Sequence, residues 1–131
     1  AVIHPDLATS GGILETKKIG DMAQDYGVAM AMHQAGSPIS MLANVHCAAA
    51  TENFLVLENH CVDIEKWQHL LTGLPEDFIK DGHIQVPEKP GLGFDDINEE
   101  VFREFLDPRN PVFFESTEAW DKDWSHDRLW S

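Results

Sequence analysis

The chain has 131 residues, 43% of them hydrophobic, which is enough for one globular domain with an apolar core. Its 23 Asp and Glu against 9 Lys and Arg give a net charge of -14. This balance argues against nucleic-acid binding and against attraction to an anionic membrane surface. No apolar stretch approaches ~20 residues and no signal-peptide pattern is found, so we expect a cytoplasmic protein with no membrane partner.

Residues 1–57 alternate between short apolar runs and helical patterns. The predicted strands cover residues 1–5, 28–32 and 54–57, and the predicted helices cover residues 13–26 and 38–50. This is the spacing of βαβ units, in which consecutive strands are parallel. Apolar and polar residues do not alternate cleanly along these strands, which is typical of a sheet covered on both faces or closed into a barrel. The sequence therefore predicts the α/β class.

Local residues define the ends of the two predicted helices. The first helix follows the Gly11-Gly12 turn and places Ile19, Met22, Ala23 and Tyr26 on an apolar face. The second helix has Ser37 as its N-cap and Pro38 at its first position. Because the second helix is almost wholly apolar, we expect it to be buried.

After residue 58 the pattern changes. Asp63 is predicted to cap a short helix over residues 64–71, and Asp81-Gly82 predicts a hairpin between residues 78–79 and 83–86. A Pro/Gly loop covers residues 87–93. Asp96 with Glu99 resembles a capping box for a helix through residues 101–106. The tail from residue 107 contains Trp120, Trp124 and Trp130 among charged residues and is interpreted as an extended segment that packs against another surface.

Three parallel strands make a poor independent domain, because both edges of the sheet stay open. The chain also starts without Met and opens directly on strand-like residues. We therefore expect these strands to belong to a larger sheet, completed by further sequence or by another chain. A flavodoxin-like sheet is the competing architecture, but it needs about five strands.

The two cysteines, Cys47 and Cys61, lie in apolar surroundings and are predicted to be reduced, buried thiols. The pairs His46-Cys47 and His60-Cys61 also invite a zinc interpretation. Adjacent ligands repeated once are not a recognised zinc spacing, so we predict no zinc site there.

Three polar side chains follow the three predicted strands, namely Asp6, His33 and Glu58. In a parallel α/β fold, functional groups gather at the carboxyl edge of the strands. A carboxylate that is hydrogen-bonded to an imidazole fixes the tautomer of the imidazole and raises its basicity. Another carboxyl group can donate or accept a hydrogen bond at a developing oxyanion. Each residue also has a structural interpretation: a turn cap for Asp6, a satisfied strand-end group for His33 and a surface carboxylate for Glu58.

Local sequence motifs then favour a family. The run from Pro5 to Ile13, Met32-His33, Leu57-Glu58 and the run from Lys89 to Gly93 come in the order seen in the mandelate racemase/muconate lactonizing family of the enolase superfamily, which the chain resembles. The spacings of 27 residues from Asp6 to His33 and 25 from His33 to Glu58 are most similar to the galactonate dehydratase-like, acid-sugar dehydratase branch. The segment 109–112 adds to this likeness.

The resemblance implies a fold and a domain organisation. Residues 1–75 would be the last three βα units of a (β/α)8 TIM-type barrel. Residues 76–131 would be a hairpin, a loop, a helix and a Trp-rich tail that packs on the barrel or on a capping domain. The expected partners are the remainder of the barrel, the capping domain and further copies in a homo-oligomer.

The resemblance also implies a chemistry. Asp6 and His33 would form a dyad that removes the proton α to the carboxylate of a sugar acid, and Glu58 would hydrogen-bond the enediolate before water is eliminated. Such sites use Mg²⁺, whose ligands are expected outside this chain, so that no metal ligand is assigned here. Weaker substrate-binding candidates are Ser10, Gln34 and His60. The alternatives are a racemase or cycloisomerase of the same family, and a non-catalytic structural segment.

Overall fold

A three-stranded parallel sheet organises the chain, as seen in a computed structural model that describes residues 1–109. The strands lie in the order β1 (Val2–Ile3), β2 (Ala29–Met32) and β3 (Phe54–Leu57). Helix α1 (Gly12–Asp25) connects β1 to β2, and helix α2 (Pro38–Ala49) connects β2 to β3. The predicted α/β class is confirmed.

The ends of both helices follow from local chemistry. Gly11 and Gly12 have φ values of 104° and 83°, a left-handed backbone that favours glycine and turns the chain into α1. Gly27, at φ 65°, ends that helix and donates its N–H to the carbonyl of Gln24 at 2.9 Å. In α2 the Ser37 side chain accepts from the Ser40 N–H. The predicted cap is therefore confirmed.

One irregularity interrupts the pairing of the strands. β2 pairs with β3 through Met30 with Phe54 and then Ala31 with Val56, so that Leu55 is an extra residue on β3. Such a β-bulge adds one residue to one strand and changes the register beyond it. After the bulge, Met32 pairs with Leu57.

Helix α2 is central to the core, since it contributes to two clusters of buried side chains. The cluster beneath the sheet consists of Leu7, Met30, Met32, Ala43, Cys47 and Ala48. The other cluster joins α2 to the chain after β3 and consists of Met41, Leu42, Cys61, Trp67, Leu70, Leu71 and Phe78. The Trp67 indole N–H donates to the Gly36 carbonyl at 2.9 Å, which satisfies the polar atom of this buried ring. The predicted burial of α2 is confirmed.

Two apolar surfaces remain exposed. On β3, the exposed fractions of Phe54, Leu55 and Val56 are 36%, 60% and 51%. On α1, Met22 and Tyr26 were expected on the apolar face but are exposed at 67% and 80%. The buried residues of α1 are instead Thr16, Gly20 and Ala23.

The second half of the described chain departs from its predicted elements. The helix expected over residues 64–71 is a short 3-10 helix, Trp67–Leu70, because Lys66 adopts a left-handed backbone at φ 62° just before it. The third helix, α3, covers Glu99–Glu104 and is capped by the side chain of Asn98, not by Asp96. The Asp96 carboxylate instead accepts from the Ile97 N–H at 2.8 Å.

The predicted hairpin is present only as a turn. Asp81 and Gly82 both have positive φ, as a two-residue hairpin turn requires. A single antiparallel bridge joins Lys80 to His83, and the residues between 78 and 86 form no longer strands. The Trp-rich tail and most of the segment 109–112 lie outside the described residues. Within residues 1–109, no helix has the length and apolar character needed to cross a membrane.

Gly20 provides a test of how α1 packs against the rest of the fold. A Cβ at this position would lie 2.8 Å from Cγ2 of Thr51, a residue that is 5% exposed. Alanine is favoured over glycine in a helix by about 1 kcal/mol, whereas overpacking a filled core costs about 1–3 kcal/mol. We expect Gly20→Ala to lower the free energy of unfolding, measured by urea denaturation.

Thr51, the residue against which Gly20 packs, supplies the control. Adding Thr51→Ser removes the clashing methyl group and keeps the hydroxyl that donates to the Cys47 carbonyl at 2.7 Å. The double variant should recover stability relative to Gly20→Ala. If Gly20→Ala were more stable than the wild type, the close packing of α1 on Thr51 would be contradicted.

Candidate active site

The backbone aligns the ends of the three strands. Beyond β1 and β2, Asp6 and His33 form a parallel bridge, and the His33 N–H donates to the Pro5 carbonyl at 3.0 Å. The Glu58 N–H donates to the Met32 carbonyl at 2.9 Å. The three predicted side chains are therefore brought together at the carboxyl edge of the sheet.

Asp6 and His33 are joined directly. Asp6 Oδ2 lies 2.5 Å from His33 Nδ1, and since a carboxylate only accepts, Nδ1 is the donor. The other oxygen of Asp6 accepts from the backbone N–H groups of Ala8 at 2.8 Å and Thr9 at 3.3 Å. This pairing leaves His33 Nε2 facing away from Asp6 and free to exchange a proton.

The environment of Asp6 favours its charged form. Burial alone would raise the pKa of Asp6, but the hydrogen bonds with His33 and with the Ala8 and Thr9 amides outweigh burial. The pKa of Asp6 therefore lies below its ordinary value. The residue is an anion at neutral pH and stabilises positive charge on the imidazole beside it.

Three imidazoles surround Glu58. His4 Nε2 lies 3.0 Å from Glu58 Oε2, His60 Nε2 lies 2.8 Å from Oε1, and His33 Nε2 lies 3.6 Å from Oε2. Desolvation opposes ionisation, but the hydrogen bond from His4 and the charge of His60 outweigh it, so the pKa of Glu58 lies below its ordinary value. In this arrangement Glu58 accepts hydrogen bonds and does not donate them.

His4 is the member of this group that the sequence did not single out. His4 lies inside the first apolar run, where a single polar residue does not by itself indicate a function. Its spacing from Asp6 could have identified it, because side chains two residues apart on an extended chain point to the same side. The rings of His4 and His33 meet edge to face, with centroids 5.3 Å apart.

The weaker candidates separate into two groups. His60 joins the cluster through Glu58. Ser10 instead bonds the Thr16 hydroxyl at 2.7 Å, next to α1. Gln34 is 1% exposed and bonds Ser40 at 3.0 Å and Asn44 at 2.9 Å. Contacts of Ser10, Gln34 and His60 with a substrate stay predictions.

The two cysteines do not converge with histidines. Cys47 and Cys61 are free and buried, as predicted, and burial raises the pKa of both thiols. Cys61 Sγ lies 3.3 Å from the Gly36 carbonyl. His46 Nε2 lies 3.2 Å from the Leu92 carbonyl, to which it donates. Over residues 1–109, neither His-Cys pair belongs to a group of metal-binding side chains.

The described donors do not fit magnesium. The group with metal-ligand spacing is His4, His33 and Glu58, whose ligand atoms all lie within 4.8 Å of one another. Magnesium requires near-octahedral oxygen ligands and is usually held by carboxylates, phosphates and water. Two nitrogens and one carboxylate do not form that donor set, so these three residues do not fit magnesium.

Comparisons with known proteins give a consistent picture. The family model described as "Enolase C-terminal domain-like" matches residues 1–101. The chain is 45% identical to D-xylonate dehydratase of Haloferax volcanii over 92 residues, which is 70% of this chain and 22% of that protein. It is 39% identical to D-galactonate dehydratase of Pectobacterium atrosepticum over 121 residues, which is 86% of this chain and 31% of that protein.

The solved structures give the same result. A mandelate racemase/muconate lactonizing enzyme-like protein from Rubrobacter xylanophilus matches with a TM-score of 0.78 and 35% identity, over 86% of this chain and 28% of that chain. The present chain thus spans 22% and 31% of the length of the two curated relatives above.

Proposed function

Because the chain belongs to the enolase C-terminal domain-like family, we propose that it is the proton-transfer part of an acid-sugar dehydratase. The names of the curated relatives, which include dehydratases of xylonate, galactonate and arabinonate, support a sugar acid as the substrate. The observation that carries the proposal is the Asp6–His33 pair at the carboxyl edge of the parallel sheet.

His33 acts as the general base. Its Nδ1 proton is held by Asp6 at 2.5 Å, so Nε2 presents a lone pair to the proton α to the substrate carboxylate. When Nε2 takes that proton, the anionic Asp6 stabilises the imidazolium that forms. The electron pair of the C–H bond passes into the substrate carboxylate and gives an enediolate.

Glu58 acts on the enediolate as a hydrogen-bond donor after it has gained a proton, a change that the negative charge of the bound substrate favours because a like charge raises the pKa of a carboxyl group. His4 and His60 lie 3.0 Å and 2.8 Å from its two oxygens and are placed to deliver that proton. Protonated Glu58 then donates to a developing carboxylate oxygen, where a donor stabilises the new charge. Loss of the β-hydroxyl as water, followed by tautomerisation, gives a 2-keto-3-deoxy sugar acid.

The remaining parts of the site come from outside residues 1–109. They include the ligands for Mg²⁺, the general acid for the leaving hydroxyl and the capping domain. The exposed face of β3 supports this organisation, since Leu55 and Val56 line an apolar groove of about 490 Å³ between α2 and residues 82–86. We assign residues 1–75 to the last βα units of a (β/α)8 barrel and residues 76–131 to the segment that packs on the barrel or capping domain.

The term "assembled protein" here means this chain together with the strands that complete its barrel. We propose that the assembled protein is a cytoplasmic homo-oligomer. Assembly explains why apolar residues of β3 and α1 are exposed in the chain taken alone, because large apolar areas at a surface mark contacts with other structure.

The test is a panel of sugar acids, including xylonate and galactonate, incubated with the assembled protein in D2O with Mg²⁺. We expect one member to exchange its α-proton and to form a 2-keto-3-deoxy product, both followed by NMR. Exchange with inversion or ring closure but no keto product would replace the dehydratase by a racemase or cycloisomerase. Absence of exchange across the panel would favour a non-catalytic segment and overturn the proposal.

A further inference from the structure

We propose that His4, His33 and Glu58 form a binding site for a borderline-soft divalent cation such as Zn²⁺. The three ligand atoms come from the ends of all three strands and all lie within 4.8 Å of one another. No other group of this kind is found among residues 1–109.

The spacing of the donor atoms suits a tetrahedral ion. His4 Nε2 and His33 Nε2 lie 3.0 Å and 3.6 Å from Glu58 Oε2. Bonds of 2.0–2.1 Å to a tetrahedral zinc ion place neighbouring donors about 3.3 Å apart. Small side-chain adjustments would therefore bring these atoms around one ion without a change in the sheet.

The types of ligand favour zinc over magnesium. Two histidines with one glutamate form a known three-ligand zinc set that leaves a fourth position open for water or substrate. The side chains of His4, His33 and Glu58 are 49%, 31% and 33% exposed, so an ion can reach them from solvent. Imidazole nitrogen suits Zn²⁺, Cu²⁺ and Ni²⁺ and does not suit Mg²⁺.

The surroundings of the three ligands resemble the outer shell of a metal site. His33 donates its other ring N–H to Asp6, which fixes Nε2 as the nitrogen available to an ion. The free oxygen of Glu58 is held by His60 at 2.8 Å, as ligating carboxylates commonly are. Two of the three ligands are thus already oriented by partners that would not need to move.

Binding at this site would have a consequence for catalysis. The ion would occupy His33 Nε2, the atom that we assign to removal of the α-proton, and would thereby inhibit turnover. The inhibition rests on the proposed function, whereas the binding does not. A binding experiment therefore tests the site even if no sugar acid reacts.

The experiment titrates the assembled protein with Co²⁺ in the presence of excess Mg²⁺, which keeps oxygen-rich sites filled. We expect the visible absorption of tetrahedral Co²⁺ at one equivalent, and its loss when Zn²⁺ is added. His4→Gln and, separately, Glu58→Gln should each weaken Co²⁺ binding more than about tenfold. His83→Gln is the matched control, because His83 is an exposed histidine whose ring donates to the Asp81 carbonyl and which is not a member of the three-residue group.

Two results would overturn the proposal. One is the absence of tetrahedral Co²⁺ bands from wild-type protein. The other is Co²⁺ affinity that stays unchanged in both His4→Gln and Glu58→Gln while their circular dichroism matches the wild type. A protein that binds Co²⁺ as expected but exchanges no α-proton would support the cation site and contradict only the proposed function.

Discussion

The His33→Ala variant of the assembled protein should lose at least about 10³-fold in kcat, within the range expected for a positioned general base. The variant keeps Asp6, Glu58 and the imidazoles of His4 and His60, but neither of the latter two has a carboxylate on its second nitrogen among the described contacts. Exchange of the α-proton in D2O should fall with kcat, because both depend on the same proton transfer.

A matched substitution separates this effect from a general loss of histidine. His83→Ala removes an exposed imidazole that directly follows the turn at residues 81–82 and should leave kcat within about twofold, as is usual for surface changes. Circular dichroism of His33→Ala should match the wild type. An unchanged kcat in folded His33→Ala would remove His33 from the role of base.

The Asp6→Asn variant should have a smaller effect on kcat than His33→Ala and a different effect on the pH profile. An amide can donate to His33 Nδ1 as well as accept from it, so the tautomer is no longer fixed, and we expect a loss of about 10–100-fold, as is known for changes to such an orienting partner. The negative charge that stabilises the protonated imidazole is also lost. The acid limb of the kcat profile should therefore move to lower pH.

The presence or absence of that shift distinguishes the two explanations of Asp6. If Asp6 only caps the turn before α1 through the amides of Ala8 and Thr9, Asp6→Asn keeps a side-chain oxygen for those amides and the profile should not move. Asp25→Asn, an exposed carboxylate at the end of α1, is the control for a change of one charge. A profile identical to that of the control would contradict the dyad.

The elements that the sequence predicted best are those with local causes. The cap at Ser37 and the stop at Gly27 depend on residues within one turn of the chain, and both are found where expected. The positions of Asp6, His33 and Glu58 followed from one rule, that parallel strands end at the same edge of a sheet. To apply this rule, it was enough to know where the three apolar runs end in the sequence.

The elements that were mispredicted depend on contacts far along the chain. The segment at residues 64–71 has a helical pattern, but Lys66 adopts a left-handed backbone and Trp67 inserts into the cluster with α2. The exposure of Met22 could not be predicted from hydrophobic periodicity. Periodicity shows which residues share one face of a helix, but it does not show whether another part of the structure packs against that face. Likewise, His4 acquires a partner only through Glu58, 54 residues away.

The bulge at Leu55 decides which side chain lies beside His33. If Leu55 instead paired with Ala31 in a regular register, Met32 would pair with Val56, and Leu57 would come next to His33. With the extra residue, Met32 pairs with Leu57 and His33 is followed across the sheet by Glu58. The bulge thus places a carboxylate, and not a hydrocarbon side chain, beside His33 at the carboxyl edge of the sheet. The register of β3, and not only its composition, therefore decides which side chains meet at this edge.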